Sequence, residues 1–181
     1  MRIIAGKYRG TNIPSPKEEI VKPTLDRIKE NIFNIIQFNI QGSSCLDLFC
    51  GSGALGLECL SRGANNVTFV DNNKANILAV KKLLEKLKAE NFNLLTTDYY
   101  EALKKFSGEE KQFDIIFLDP PYDTNLAEVA LQKIFKFGLL SPTGVVVWEH
   151  PTDYDNIRFK SKIKNTKVYG KVQIDFLAYQ E

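Results

Sequence analysis

A chain of 181 residues with 44% hydrophobic and 25% charged residues has room for one core that buries roughly two-thirds of its unfolded surface, and none for a second full domain. A formal charge of +2 excludes a uniformly polycationic molecule, so affinity for a polyanion has to come from a local patch. Cys45, Cys50 and Cys59 with a single histidine suit neither a disulfide framework nor a zinc cluster, so no metal is expected and the cysteines read as reduced thiols of a cytoplasmic protein. No apolar run approaches the roughly 20 residues that span a bilayer, and MRIIAGKYRG lacks the core of a signal peptide.

In chain order, residues 2–13 predict a small β-hairpin, two short apolar runs around the turn-forming GKYRG. A proline-flanked charged loop follows. PTLDRIKENIFNIIQF then carries Leu25, Ile28, Ile32 and Ile35 at helical spacing, with Thr24 as the expected N-cap. Hairpin and helix make an extension over residues 1–41, ahead of a core over 42–181, the whole being one domain. From Gly42 onward short apolar runs alternate with helical patterns. Strands are expected at 45–49, 67–71, 92–97, 113–118 and 145–149, and the clearest helix carries Ile77, Val80, Leu84 and Leu87 on one face. Such alternation predicts an α/β, doubly wound, mostly parallel sheet of Rossmann-like type. TKVYGKVQIDFLAYQ has two strands and no helix, so it adds an antiparallel hairpin at one edge and brings the sheet to seven strands.

Ligands of open parallel sheets bind beyond the carboxyl ends of the strands, where strand order reverses. Gly51-Ser52-Gly53-Ala54-Leu55-Gly56 follows the first strand and opens a helix, which permits a tight turn and close backbone approach to a ligand. Asp71 ends the second strand, where a carboxylate accepts from ribose hydroxyls. A chance glycine turn explains the first feature alone, and less well the two in register. Asp47 stands four residues before Gly51; it would repel a pyrophosphate and suit the cationic methionine tail of S-adenosylmethionine, or else bond loop amides as a structural acid. Asp98 either accepts from an adenine amino group or simply caps the next helix.

Asp119-Pro120-Pro121-Tyr122 closes the fourth strand. Two consecutive prolines fix the backbone and donate no amide hydrogen. A carboxylate beside a rigid carbonyl is therefore a double acceptor for a planar amino group, with Tyr122 offering a face for stacking. The plain alternative is a proline stop with a packing tyrosine. Two basic patches are candidates for RNA: Arg2, Lys7 and Arg9 around Tyr8, and the run Lys160, Lys162, Lys164, Lys167 and Lys171, which also suits a solvated sheet edge. Arg27 fits a cofactor carboxylate, RNA or a surface ion pair. His150 reads as a loop residue.

RIIAGKYRG, KPTLDRIKENIFN, LDLFCGSGALGLE, DPPY and GKVQIDFLAYQ together resemble, in order and over nearly the whole chain, the bacterial small-subunit (16S) ribosomal RNA guanine-N2 methyltransferases. The core motifs are common to many methyltransferases; the hairpin and the PT-x-D-R segment make the likeness specific. Lys22 stands where that family typically has Arg, and Cys50 where a small residue is common. The resemblance implies S-adenosylmethionine as cofactor, held by Asp47, Phe49, Gly51, Gly53, Asp71, Asp98, Arg27 and Thr24. It implies catalysis by Asp119, Pro120 and Tyr122, and a monomer whose partner is small-subunit RNA or the assembling 30S particle, contacted through the N-terminal hairpin and Lys171. Rivals are an amino-methyltransferase of DNA or another RNA, a glutamine-modifying protein methyltransferase, a nicotinamide dehydrogenase and a noncatalytic RNA-binding scaffold.

Overall fold

Strands covered by helices on both faces lose the alternation of half-exposed strands and read as continuous apolar runs. In a computed structural model that describes residues 1–14, 22–121, 125–154 and 157–180, five such runs pair in parallel: β1 (Ser44–Asp47), β2 (Asn66–Asp71), β3 (Phe92–Thr96), β4 (Phe113–Leu118) and β5 (Leu140–Pro151). The last two strands, β6 (Ile163–Tyr169) and β7 (Val172–Leu177), join antiparallel, and the sheet runs β3-β2-β1-β4-β5-β7-β6. The chain starts at β1, winds outward to β3, then returns to β4 on the other side of β1. That reversal places a crevice between β1 and β4.

The helices are α1 (Lys22–Ile35), α2 (Gln37–Ile40), α3 (Ala54–Ser61), α4 (Lys74–Lys86), α5 (Tyr99–Gly108) and α6 (Leu126–Lys136). Successive strand residues point to opposite faces. Cys45, Phe117 and Val147 pack with Ile32 of α1, Leu57 of α3 and Val80 of α4. Leu46, Ile116 and Val146 pack with Leu103 of α5 and Ile134 of α6. The sheet is thus buried on both sides, and among the described residues no helix is long and apolar enough to cross a membrane.

The expected elements are present, with four corrections. Helix α1 begins at Lys22 and not after Thr24, with Pro23 in the first turn, where its missing N–H costs nothing. It also ends at Ile35, and the rest of the expected helix turns separately as α2. The N-terminal segment is a hairpin with a single antiparallel bridge, Arg2 to Asn12. No ladder extends from it because the amides of Ile4 and Ala5 donate instead to the two carboxylate oxygens of Glu58, at 2.9 and 3.0 Å. Finally, His150 is not in a loop: β5 continues through it to Pro151, and its ring is 2% exposed with Nε2 2.9 Å from Asp175 Oδ2.

Candidate active site

At the carboxyl ends of the parallel strands lies a cavity of about 640 Å³, within the usual range for a small-molecule site. Asp47, Phe49, Gly51, Asp71, Asp98, Asp119 and Pro120 all border it, the glycine turn and the Asp-Pro-Pro segment being parts of one wall.

The turn after β1 is shaped by its glycines. Gly51 and Gly53 have φ of +50° and +75°, a left-handed region that side chains resist. A Cβ on Gly53 would lie 2.8 Å from Val80 Cγ2, so α4 packs directly on the turn, whereas nothing stands within 4 Å of the place a Cβ would take on Gly51. Gly53 therefore shapes the wall from behind, and Gly51 forms its surface. The turn is tied to β2: Gly51 N donates to Asp71 Oδ2 at 2.9 Å, and Asp71 also accepts from Asn73 N at 2.8 Å and Asn76 Nδ2 at 3.1 Å. A carboxylate has about four acceptor positions, so Asp71 holds the loop and keeps capacity for one hydroxyl.

Asp47 is 4% exposed and its Oδ2 accepts from Gly56 N at 3.0 Å. Burial pushes its carboxyl up to about 7; the Gly56 bond opposes that push and the charge of Asp71 adds to it. The folded chain then keeps this proton to about pH 7, while an unfolded Asp loses it near 3.9. Between those values the folded state binds more protons, so stability falls as pH rises through the window. Asp47→Asn, which retains an acceptor for Gly56, is expected to raise the melting temperature of the ligand-free protein at pH 8 and to leave it unchanged at pH 4. Equal melting shifts at both pH values would contradict a strained Asp47.

Asp98 is the N-cap of α5, accepting from Tyr100 N at 2.8 Å, and is exposed at the cavity edge. Phe49 stacks at a tilt on Tyr99, ring centres 5.3 Å apart. Asp119 is ringed by protein but open to the cavity. Loss of surrounding water raises its carboxyl well above the ordinary range, and the charges of Glu149 and then Asp47 raise it further. The Cys50 thiol, also on the wall, is pushed up by burial and by Asp47 and Asp71, which keeps it protonated. The three cysteines are unbridged.

Among the described residues five acidic side chains border the cavity, those of Asp47, Asp71, Asp98, Asp119 and Glu149, and the Lys29 ammonium beside them lies 3.2 Å from buried Glu58. Such a field attracts a cation and repels a pyrophosphate.

Other sequence candidates lie elsewhere. Arg27 is exposed on α1 and absent from the cavity wall, where α1 contributes Ile28, Lys29 and Ile32. Thr24 falls in the first turn of α1, with its side chain outside the described residues, as is Tyr122 altogether. Arg2, Lys7 and Arg9 are exposed on the N-terminal hairpin, with Tyr8 half-buried and the Lys7 ammonium 5.3 Å from its ring centre. Lys171 is exposed beside Gly170 in the turn between β6 and β7.

The hairpin is fastened to α3. Besides the Glu58 bonds, Lys7 N donates to Ser61 O at 2.7 Å, Tyr8 N to Ser61 Oγ at 2.9 Å, and Ser61 Oγ to Ala5 O at 2.5 Å. Met1, which pairs with Ile13, reaches the cavity edge. Glu58 and Glu149 are the residues the sequence reading passed over.

The family described as Conserved hypothetical protein 95 matches residues 1–178. Ribosomal RNA small subunit methyltransferase D of Haemophilus influenzae is 39% identical over 155 residues, 84% of this chain and 80% of that protein. Its Escherichia coli namesake is 34% identical over 149 residues, 82% of this chain and 74% of that one. Among solved structures, the Escherichia coli protein yhhF superposes with a TM-score of 0.86 at 31% identity, covering 99% of both chains. The Thermus thermophilus 16S rRNA N2 G1207 methyltransferase, solved in complex with AdoMet and guanosine, has a TM-score of 0.72 at 24% identity, covering 91% of this chain and 45% of that one, a likeness of fold alone.

Proposed function

The chain belongs to the family of the ribosomal RNA small subunit methyltransferases D, and from that premise we propose that it methylates the exocyclic N2 amine of a guanine in 16S ribosomal RNA, with S-adenosylmethionine as donor. The observation that carries the reading is the single cavity into which the glycine turn and Asp119 both face.

The cavity suits this donor. Its ring of carboxylates matches a molecule with a sulfonium and an ammonium and no phosphate, whereas a nicotinamide dinucleotide would bring its pyrophosphate against Asp47. Asp47 is placed for the methionine ammonium, Asp71 for a ribose hydroxyl, Asp98 for the adenine amine, and the Phe49–Tyr99 pair for a flat ring. When bound, S-adenosylmethionine supplies an electrophilic methyl group.

The protein's own part is to prepare the amine. The lone pair of guanine N2 is delocalised into the ring and nucleophilicity is low. Asp119 and the Pro120 carbonyl accept its two hydrogens, turn the lone pair toward the donor, and stabilise the positive charge that grows on nitrogen. The proton leaves from N2 to Asp119 or to water. A paired guanine hides this amine, so the base has to be unpaired or flipped, with Tyr122 as its stacking partner.

One domain, residues 1–181, does this as a monomer in the cytoplasm, with residues 1–41 as its RNA-facing extension. The exposed cations of the hairpin lie on the segment whose Met1 reaches the cavity edge, which favours them over Lys171 as the main RNA contact. Neutralising Arg2, Lys7 and Arg9 together is expected to reduce the slope of log affinity against log salt by about 2, since each phosphate contact contributes about 0.7 to 0.9. An unaltered slope would remove the hairpin from the interface. The proposal as a whole is tested by incubating the protein with labelled methyl donor and either free 16S RNA or small subunits, followed by nucleoside mass spectrometry. N2-methylguanosine supports it; a methylated adenosine or cytidine, or no product from either substrate, defeats it.

A further inference from the structure

Asp119 and Pro120 account for the holding of an amine, but not for the choice of base. Guanine N2, adenine N6 and cytosine N4 are all planar amino groups with two hydrogens, and a double acceptor treats them alike. The three bases differ at the ring nitrogen beside the amine: guanine carries N1–H there, while adenine N1 and cytosine N3 present a lone pair.

Glu149 lies beside Asp119 on the cavity wall. Strands β4 and β5 are parallel with Leu118 beside Trp148, so the next residues, Asp119 and Glu149, are neighbours at the carboxyl ends of adjacent strands. Alternation puts both on the face that carries Phe117 and Val147, and both border the cavity. The two groups feel each other electrostatically, Glu149 adding to the upward push on the Asp119 carboxyl. An ionised carboxylate accepts hydrogen bonds and donates none. In that state Glu149 would accept from an N1–H and repel a lone pair.

We propose that Glu149 is a specificity-determining residue, accepting the N1–H of guanine while Asp119 and the Pro120 carbonyl hold the N2 amine. Strand pairing sets the two carboxylates side by side, as the 1,3-related N1–H and N2–H of one guanine edge are. The proposal rests on the guanine-N2 reading and extends it to the base-selecting contact.

The test uses 2-aminopurine, which keeps the 2-amine but has a lone pair at N1. Once mass spectrometry and primer extension have located the modified nucleotide, small subunits or RNA, whichever is the substrate, are prepared with guanine or 2-aminopurine at that position. Methylation of the 2-amine is then followed with wild type, Glu149→Gln and Glu149→Ala. A contact to a charged acceptor is commonly worth about 10- to 100-fold. Wild type is expected to prefer guanine by about 100-fold or more in kcat/KM. Glu149→Gln lowers the guanine rate by about 10- to 100-fold, and its amide, able to donate to the N1 lone pair, brings the two substrates within about 10-fold. Glu149→Ala lowers the guanine rate similarly and narrows the ratio with no gain on 2-aminopurine. S-adenosylmethionine affinity stays within about threefold in both variants. A merely structural role would slow both substrates together and leave their ratio alone.

A wild-type ratio preserved in both variants, with N2-methylguanosine still formed, overturns the role of Glu149 and spares the guanine-N2 reading. Failure of wild type to form N2-methylguanosine at all overturns both.

Discussion

Asp119→Ala is expected to bind S-adenosylmethionine within about threefold of wild type and to turn over about a thousandfold more slowly, the scale of losing one preorganised charge-stabilising contact. Both halves follow from position. Asp119 lies just past the end of β4 on the cavity wall where the proposed reaction places the amine, while Asp47, Asp71 and Asp98 border the cavity from β1, β2 and the start of α5. On the proposed mechanism, losing Asp119 removes one of the two acceptors that turn the N2 lone pair, and positioning is most of what such chemistry needs from the protein. Asp119→Asn retains an acceptor oxygen and should recover part of the rate. The pH profile adds a second readout. The ionised carboxylate is the stronger acceptor and the only form that can take up a proton, and loss of water, Glu149 and Asp47 all hold Asp119 protonated to higher pH than an ordinary carboxyl. Turnover should therefore fall with acid along a limb lying above the usual carboxylate range, and Glu149→Gln, by removing a like charge, should move that limb down. Lys29 is the cation on the same wall, but Glu58 engages it. Wild-type turnover in Asp119→Ala would end the proposed mechanism.

Glu58→Ala is expected to cost the fold about 3–5 kcal/mol, the scale for breaking a buried ion pair from one side, and to lower the melting temperature by about 10 °C for a chain of this size. Glu58 is 0% exposed and receives the amides of Ile4 and Ala5, Arg62 Nε at 2.8 Å and the Lys29 ammonium at 3.2 Å. Its removal strands a lysine that is 3% exposed. Burial already presses the Lys29 ammonium downward, and Glu58 is the first of the influences opposing that pressure. Calorimetry of Glu58→Ala beside Lys29→Met separates the cause: the second variant removes the orphan charge but leaves Glu58 to Arg62 and the two amides, so it should cost less. A loss below about 1 kcal/mol in Glu58→Ala would show that the network is not what holds the hairpin. Asp119→Ala, which deletes a carboxylate held above its ordinary range, should cost no stability.

What could be read from the sequence was what is local. The run from Asp47 to Gly56 declares a strand, a turn with left-handed backbone and a helix start within ten residues, and Asp-Pro-Pro-Tyr stops a strand with its own chemistry. Glu58 was invisible because its partners lie 53 and 54 residues away in chain; in GLECLSRG it looks like any helix glutamate. Lys29 did carry a signal. It lies four residues after Leu25 and three before Ile32, on the apolar stripe of α1, while Arg27 falls on the other side and is exposed. His150 before Pro151 looked like a strand end, yet antiparallel pairing with β7, His150 opposite Gln173 and Pro151 opposite Val172, carries β5 onward. Glu149 had the appearance of a polar terminus, and only the register of β4 with β5 gives it a neighbour in Asp119.

The short helix α3 is held at both ends by unlike tasks: its first residue follows the glycine turn, and its far end grips the N-terminal hairpin through Glu58 and Ser61. It thus joins the cavity wall to the basic hairpin. If RNA is held on that hairpin as proposed, thermodynamic reciprocity links the two ligands: by whatever factor RNA alters the grip on the donor, the donor alters the grip on RNA by the same factor.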